Sequence, residues 1–218
     1  MKGKTVHIVG GYKAYHLMFT KNNWVCVDNV EDADLVQFCG GEDVSPCMYK
    51  EKKHHTTFCN AKRDLYEKRI FELAVENGCA IAGICRGGQF VHVMNGGRLY
   101  QNVDGHALSG THRATINVPE LVPLARTGLL VSSTHHQMMR EGKGVVVLVA
   151  DISTKKETGG GVVTTKHMDV EAVYHEKTNS FSYQPHPEFF DKHHMCQRLY
   201  FDLVNKLLFK VPMEGDNK

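Results

Sequence analysis

Nothing in this 218-residue sequence approaches an apolar run long enough to cross a membrane, and its first residues read as a β-strand instead of a signal peptide. Neither sign of charge is in excess. The formal net charge is +2, and the doublets Lys52-Lys53 and Lys155-Lys156 are too short to form a basic patch, so no nucleic-acid or membrane partner is expected. There is no C-x-x-C pair: the seven cysteines are odd in number and scattered, which points to free thiols in a reducing cytoplasm. The pattern G-x-G-x-x-G is also missing, so Gly10-Gly11 after an apolar run carries no dinucleotide reading. Histidine is plentiful, at fourteen. Yet His54-His55, His135-His136 and His193-His194 are neighbours whose side chains point apart, and neither a metal nor another cofactor is expected.

What is present is an ordinary globular composition, 42% hydrophobic and 23% charged, enough for a core without disulfides or metal. A single domain over residues 1–218 is the expectation. Strands are expected at Thr5–Val9, Trp24–Val27 and Ala33–Cys39, the last running into the turn Gly40-Gly41. Residues 47 to 60 read as a polar surface loop. A helix is expected over Asn60–Asn77, with Tyr66, Ile70, Leu73 and Ala74 on its apolar face and Gly78 as its stop. A buried strand then leads to Cys85, followed by a helix from Arg86 to about Asn95. This order argues for an α/β fold, a mostly parallel central sheet with helices on both faces. Further on, Thr115–Val118, Leu129–Ser132 and Val145–Val149 are β-like, and an antiparallel β extension is expected there. Two more strands, Ala172–His175 and Phe181–Gln184, precede a last helix at about Lys192–Phe209, whose stripe of Met195, Leu199, Leu203 and Leu207 reads as core packing.

The chemistry concentrates in Gly83-Ile84-Cys85-Arg86-Gly87, a G-x-C-x-G pattern. It is the cysteine form of a nucleophile elbow, a sharp strand-to-helix turn whose flanking glycines avoid collisions with the neighbouring backbone. The helix beginning after Cys85 points its positive end at the sulfur, which favours a thiolate. Read alone, the same ten residues also suit a buried cysteine beside a glycine turn. About a hundred residues later comes Pro185-His186-Pro187-Glu188, where two prolines fix the backbone around a histidine. A carboxylate two residues on can hold one ring nitrogen and leave the other free as a base.

Together, Gly83 to Gln89 and the His186-Pro187-Glu188 segment resemble the class I glutamine amidotransferase family. The γ-glutamyl hydrolase branch, the γ-glutamyl-γ-aminobutyrate hydrolase type, is the nearer likeness. It rests on G-G-E-D-V-S-P-C-M-Y at 40–49, on Arg63-Asp64-x-x-Glu67, on Asn95 to Gln101, and on Ser133-Thr134-His135-His136-Gln137. The resemblance implies a flavodoxin-like three-layer sandwich and a triad of Cys85 as nucleophile, His186 as base and Glu188 as its orienting group. It also implies an oxyanion hole from the backbone amides of Gly41 and Arg86. Gln89, Ser133, Thr134, His135 and His136 match positions that line the glutamyl pocket in the family; for the two histidines, a place on a surface loop is the alternative.

Three departures stand out. Pro185 replaces the aromatic residue usual before the histidine, Glu42 puts a negative charge beside the oxyanion amide, and the N-terminal part is short for the hydrolase branch. The expected activity is hydrolysis of a γ-glutamyl amide or peptide through a glutamyl thioester. The alternative is a glutaminase component that releases ammonia from glutamine for a synthetase on another chain. A catalytically dead binding protein is a third reading, and the intact Cys85, His186 and Glu188 argue against it.

Overall fold

Short runs of β-branched and aromatic residues build the sheet that the rest of the chain packs around. The computed structural model describes residues 3–106, 110–124, 129–164 and 168–212. Nine strands join in this sheet: β1 (Thr5–Val9), β2 (Val25–Cys26), β3 (Leu35–Phe38), β4 (Ala80–Ile84), β5 (Gly110–Ile116), β6 (Leu130–Ser133), β7 (Val145–Ala150), β8 (Val170–His175) and β9 (Ser180–Tyr183). Their order across the sheet is β2-β1-β3-β4-β9-β8-β7-β5-β6. From β2 to β9 every neighbouring pair is parallel. From β9 onward every pair is antiparallel. The expected parallel sheet with an antiparallel extension is what forms, and β5 starts five residues earlier than its apolar residues imply. Register sets Phe38 opposite Gly83 and Tyr183 opposite Ile84, so β3, β4 and β9 end side by side. Carboxyl ends of parallel strands are where open α/β sheets place their sites.

Helices α1 (Lys13–Lys21) and α4 (Met195–Leu208) cover one face, and α2 (Ala61–Glu76) and α3 (Arg86–Met94) the other. Alternation along β4 shows the division: Ala80, Ala82 and Ile84 join the core beneath α1 and α4, while Ile81 joins the core beneath α2 and α3. No helix of the described residues is long and apolar enough to span a membrane. All seven cysteines are free.

The sequence reading passed over α1. It buries only Tyr15, Met18 and Phe19, a stripe barely longer than one turn, and its N-cap Tyr12 offers no side-chain bond. The reading of α2 was right in extent, with Asn60 Oδ1 capping the Arg63 N–H at 3.2 Å and Gly78 at φ +68° closing the end. Its buried face was right in part: Ala74 is buried and Ile70 and Leu73 pack half-buried against the core. Tyr66 is 55% exposed, and the face turned inward carries Asp64, Glu67, Phe71 and Ala74. Two acids fill positions where apolar periodicity looks for hydrophobes. Residues 47 to 60 are also less of a surface loop than expected, since Tyr49 and Thr57 are buried.

Those acids meet Arg86, the first residue of α3, whose guanidinium is buried and paired to both Asp64 and Glu67. Arg63 joins them, donating to Glu67 at 2.7 Å and to the carbonyls of Cys39 and Gly40 at 3.0 and 2.9 Å. Asp64 also accepts the Ser45 N–H at 3.1 Å. Two cations and two anions thus cancel inside the protein and tie α2, α3 and the turn after β3 together. Removing one member leaves a charge buried without its partner, so Glu67→Gln should cost about 3–5 kcal/mol. The exposed pair Lys68–Glu72 on the same helix is the control, and Glu72→Gln should cost no more than about 0.5 kcal/mol. Urea denaturation of both variants checks the contrast; equal small losses would mean that the network does not hold the fold.

Candidate active site

At the end of β4 the chain turns into α3 through Cys85, which sits at φ 53°, ψ −115°. A residue with a Cβ avoids that region unless its surroundings enforce it. Here they do. The Cys85 N–H donates to the Tyr183 carbonyl at 2.7 Å, and its carbonyl accepts the Gln89 N–H at 2.9 Å. The flanking glycines allow the close packing: a Cβ on Gly83 would fall 2.2 Å from the Gly87 carbonyl oxygen, and one on Gly87 2.3 Å from that of Phe38.

The loop after β9 brings His186 to this turn. Its N–H donates to Ser132 Oγ at 2.6 Å, and Nδ1 lies 2.5 Å from Glu188 Oε1. The imidazole stacks flat on Phe189, centroids 4.4 Å apart and planes 2° from parallel, so an aromatic three residues on supports the ring that follows Pro185. The same imidazole and the Cys85 side chain both crowd Gly40, where a Cβ would stand 3.1 Å from His186 Cε1 and 3.7 Å from Cys85 Cβ. Burial works against its charge, but the Cys85 sulfur and the Glu188 carboxylate outweigh it and raise the pKa to about 10. Cys85 and His186 are therefore brought to one place beside Gly40, with Glu188 on the imidazole's Nδ1.

The turn after β3 forms the opposite wall. The Gly40 N–H donates to the Tyr15 hydroxyl at 2.9 Å, and Glu188 stands near enough for its charge to add to burial in pushing the phenol pKa up. Gly41 has φ +139°, and a Cβ there would meet Arg63 Nη1 at 2.1 Å. Gly41, Cys85 and Arg86 line one cavity of about 220 Å³ together with Gln89, Asp43 and residues 134–137. Glu42, next to Gly41, is half-exposed and its carboxylate accepts from Arg63 at 2.9 Å.

The remaining sequence-predicted residues divide. Gln89 lines the cavity with its amide already bonded to the Gln137 carbonyl at 2.9 Å and Gln184 Oε1 at 3.1 Å. Thr134 is exposed at the rim. His136 stays half-exposed, its Nε2 3.0 Å from Asp43 Oδ1, and that hydrogen bond raises its pKa against the effect of burial. His135 is buried and turns its ring inward, Nδ1 donating to the Gln137 carbonyl at 2.9 Å. Ser133 is buried and donates to the His106 carbonyl at 2.9 Å instead of facing the cavity. Four residues of the site escaped the sequence reading: Tyr15, on the helix it passed over; Ser132, next to the residue carried over from the motif; Asp43, inside G-G-E-D-V; and Phe189.

The chain is similar to several known proteins. Protein NtpR of Enterococcus hirae is 31% identical over 128 residues, covering 51% of this chain and 53% of NtpR. A glutamine amidotransferase-like protein of Lactococcus lactis, YvdE, is 29% identical over 173 residues, covering 71% of this chain and 66% of YvdE. The chain thus spans about half to two thirds of these relatives. The crystal structure of a glutamine amidotransferase from Thermotoga maritima superposes with a TM-score of 0.60 at 14% identity, over 98% of this chain and 87% of that one. The peptidase C26 family matches residues 4–188. With that match covering most of its length, the chain belongs to the peptidase C26 family, on the fold of the class I glutamine amidotransferases.

Proposed function

We propose that this protein is a cysteine-dependent hydrolase of γ-glutamyl amides or peptides, with Cys85, His186 and Glu188 as its triad. One observation carries the reading: the strained Cys85 turn lines one small cavity with Gly41 and Arg86, and the His186–Glu188 pair reaches the same cysteine beside Gly40. In this proposal the Cys85 thiolate, with the His186 imidazolium as counter-ion, attacks the γ-carbonyl carbon. The N–H groups of Gly41 and Arg86 hold the oxyanion. His186 gives its proton to the departing amine as the C–N bond breaks, which leaves a glutamyl thioester on Cys85. Water then attacks the thioester, losing a proton to His186, and glutamate leaves as the thiolate re-forms. Glu188 keeps the imidazole oriented throughout. The His136–Asp43 pair and Gln89 offer the polar lining for the ammonium and carboxylate of the glutamyl group. The amidotransferase-like relatives favour one second reading, release of ammonia from glutamine for a separate synthetase. Steady glutamate release from γ-glutamyl amides by the purified chain alone supports the hydrolase; turnover of glutamine only, and only with a partner present, supports the second.

Cys85→Ser should keep the fold and lower kcat by about 10⁴–10⁶-fold. Unchanged turnover would remove Cys85 from the chemistry. Glu188→Gln tests the triad through pH. An imidazolium whose folded pKa, about 10, lies above the ordinary 6.5 adds stability in full below 6.5 and loses it as pH rises toward 10. The melting-temperature gap between wild type and Glu188→Gln should therefore narrow across that window, and a gap that widens with pH would contradict the pair. Substrate choice tests the pocket. A glutaryl anilide, lacking the ammonium, should be hydrolysed roughly 10⁴-fold less efficiently than the γ-glutamyl anilide, because it leaves buried polar partners unmatched. Equal kcat/KM values would overturn the γ-glutamyl assignment.

A further inference from the structure

Behind the cavity wall formed by residues 134–137 lies a second cluster of titratable groups that the reaction above does not use. Glu171 of β8 is fully buried, and three imidazoles surround its Oε1: His112 Nε2 at 3.2 Å, His106 Nδ1 at 3.5 Å and His135 Nε2 at 3.6 Å. These contacts are not directed hydrogen bonds. Both Glu171 oxygens, His112 Nε2 and His135 Nε2 are buried without a hydrogen-bond partner among the described residues.

The outer side of the cluster is, by contrast, well ordered. His106 Nε2 lies 2.8 Å from Asp169 Oδ2, and Asp169 is itself bonded to Lys156 and Thr154. His135 Nδ1 lies 2.9 Å from the Gln137 carbonyl. A carbonyl or carboxylate accepts, so in the neutral rings each outer nitrogen carries the proton. The inner nitrogens, His135 Nε2 and His106 Nδ1 (the latter also 3.4 Å from Ser133 Oγ, whose proton goes to the His106 carbonyl at 2.9 Å), then turn lone pairs toward a carboxylate oxygen. Lone pairs facing a carboxylate repel unless a cation stands between them. An imidazole held from outside by a carboxylate or carbonyl, with its other nitrogen free, is the usual arrangement around a protein metal ion. Size agrees as well. Ligands about 2.0–2.1 Å from a tetrahedral zinc ion are roughly 3.3 Å apart, and the observed separations bracket that edge. One ligand atom each from His106, His112 and Glu171 lie within 4.8 Å of one another, and His135 stands next to this group.

We propose that His106, His112 and Glu171, with His135 as a fourth ligand, bind one divalent cation of the zinc type. The donor set of imidazoles and one carboxylate suits zinc and cobalt(II) better than magnesium or calcium, which prefer oxygen alone. Of the four ligands only His135 borders the Cys85 cavity, and its Nε2 turns toward Glu171, so the ion is structural. It would staple β5 and β8 to the segment that carries His136 into the cavity.

The test needs no activity. Wild-type protein grown with zinc and passed through gel filtration should carry one equivalent of zinc by elemental mass spectrometry. Removal with a chelator should lower the melting temperature, and zinc should restore it. Cobalt(II) added to the stripped protein should give the visible absorption of a tetrahedral site. His112→Gln should lose the ion and the cobalt spectrum, whereas His193→Gln, far from the cluster, should keep both. Should His112→Gln fail to fold, the zinc content and cobalt spectrum of the wild type decide alone. Protein that holds no zinc, shows no cobalt spectrum and does not change its melting temperature overturns the proposal and leaves the cluster held by protons. Zinc retained in full by a folded His112→Gln overturns it equally.

Discussion

Arg86 joins the fold to the site. Its backbone begins α3 at the cavity beside Cys85, while its side chain runs into the pair of acids on α2. A guanidinium buried in this way is stable only with carboxylates against it. Asp64 and Glu67 supply them, and Arg63 extends the same network to the carbonyls of Cys39 and Gly40. The two backbone walls that flank the sulfur, the start of α3 and the turn after β3, are thereby fixed by one neutral set of charges. The unfavourable backbone angles at Cys85 persist because this network and the glycine contacts leave the chain no room to relax.

The same economy appears on the other side of the sheet. Tyr15 of α1 accepts from Gly40 and stands near enough to Glu188 for that charge to push its pKa up, so one side chain of α1 borders both the carboxylate and the turn that carries Gly41. Ser132 holds the His186 backbone from the end of β6. Each group of the candidate triad is thus positioned by an element distant in sequence.

How much of this could be read from the sequence depends on whether the signal was local. The elbow was legible because its glycines, its cysteine and the strand before it lie within ten residues. The parallel half of the sheet followed from apolar runs alternating with helical periods. The buried face of α2 was legible only at Ile70, Leu73 and Ala74, because Asp64 and Glu67 look like solvent residues until Arg86 is seen opposite them. Helix α1 was missed because its stripe is a single turn long. The histidines mislead in a different way. Attention to adjacent pairs was right for His135 and His136, whose rings do diverge, but it passed over His106 and His112, which only the fold brings to Glu171. Spacing along a chain cannot reveal a cluster assembled from β5, β8 and two loops.

The central claim is that Cys85 carries a glutamyl group during the reaction. Acid quenching of the protein mixed with a γ-glutamyl amide, followed by digestion and mass spectrometry, tests it directly. The account predicts a peptide containing Cys85 that is heavier by one glutamyl residue, which disappears when hydroxylamine cleaves the thioester. A steady release of glutamate with no such adduct, or with the adduct on another cysteine, would contradict it.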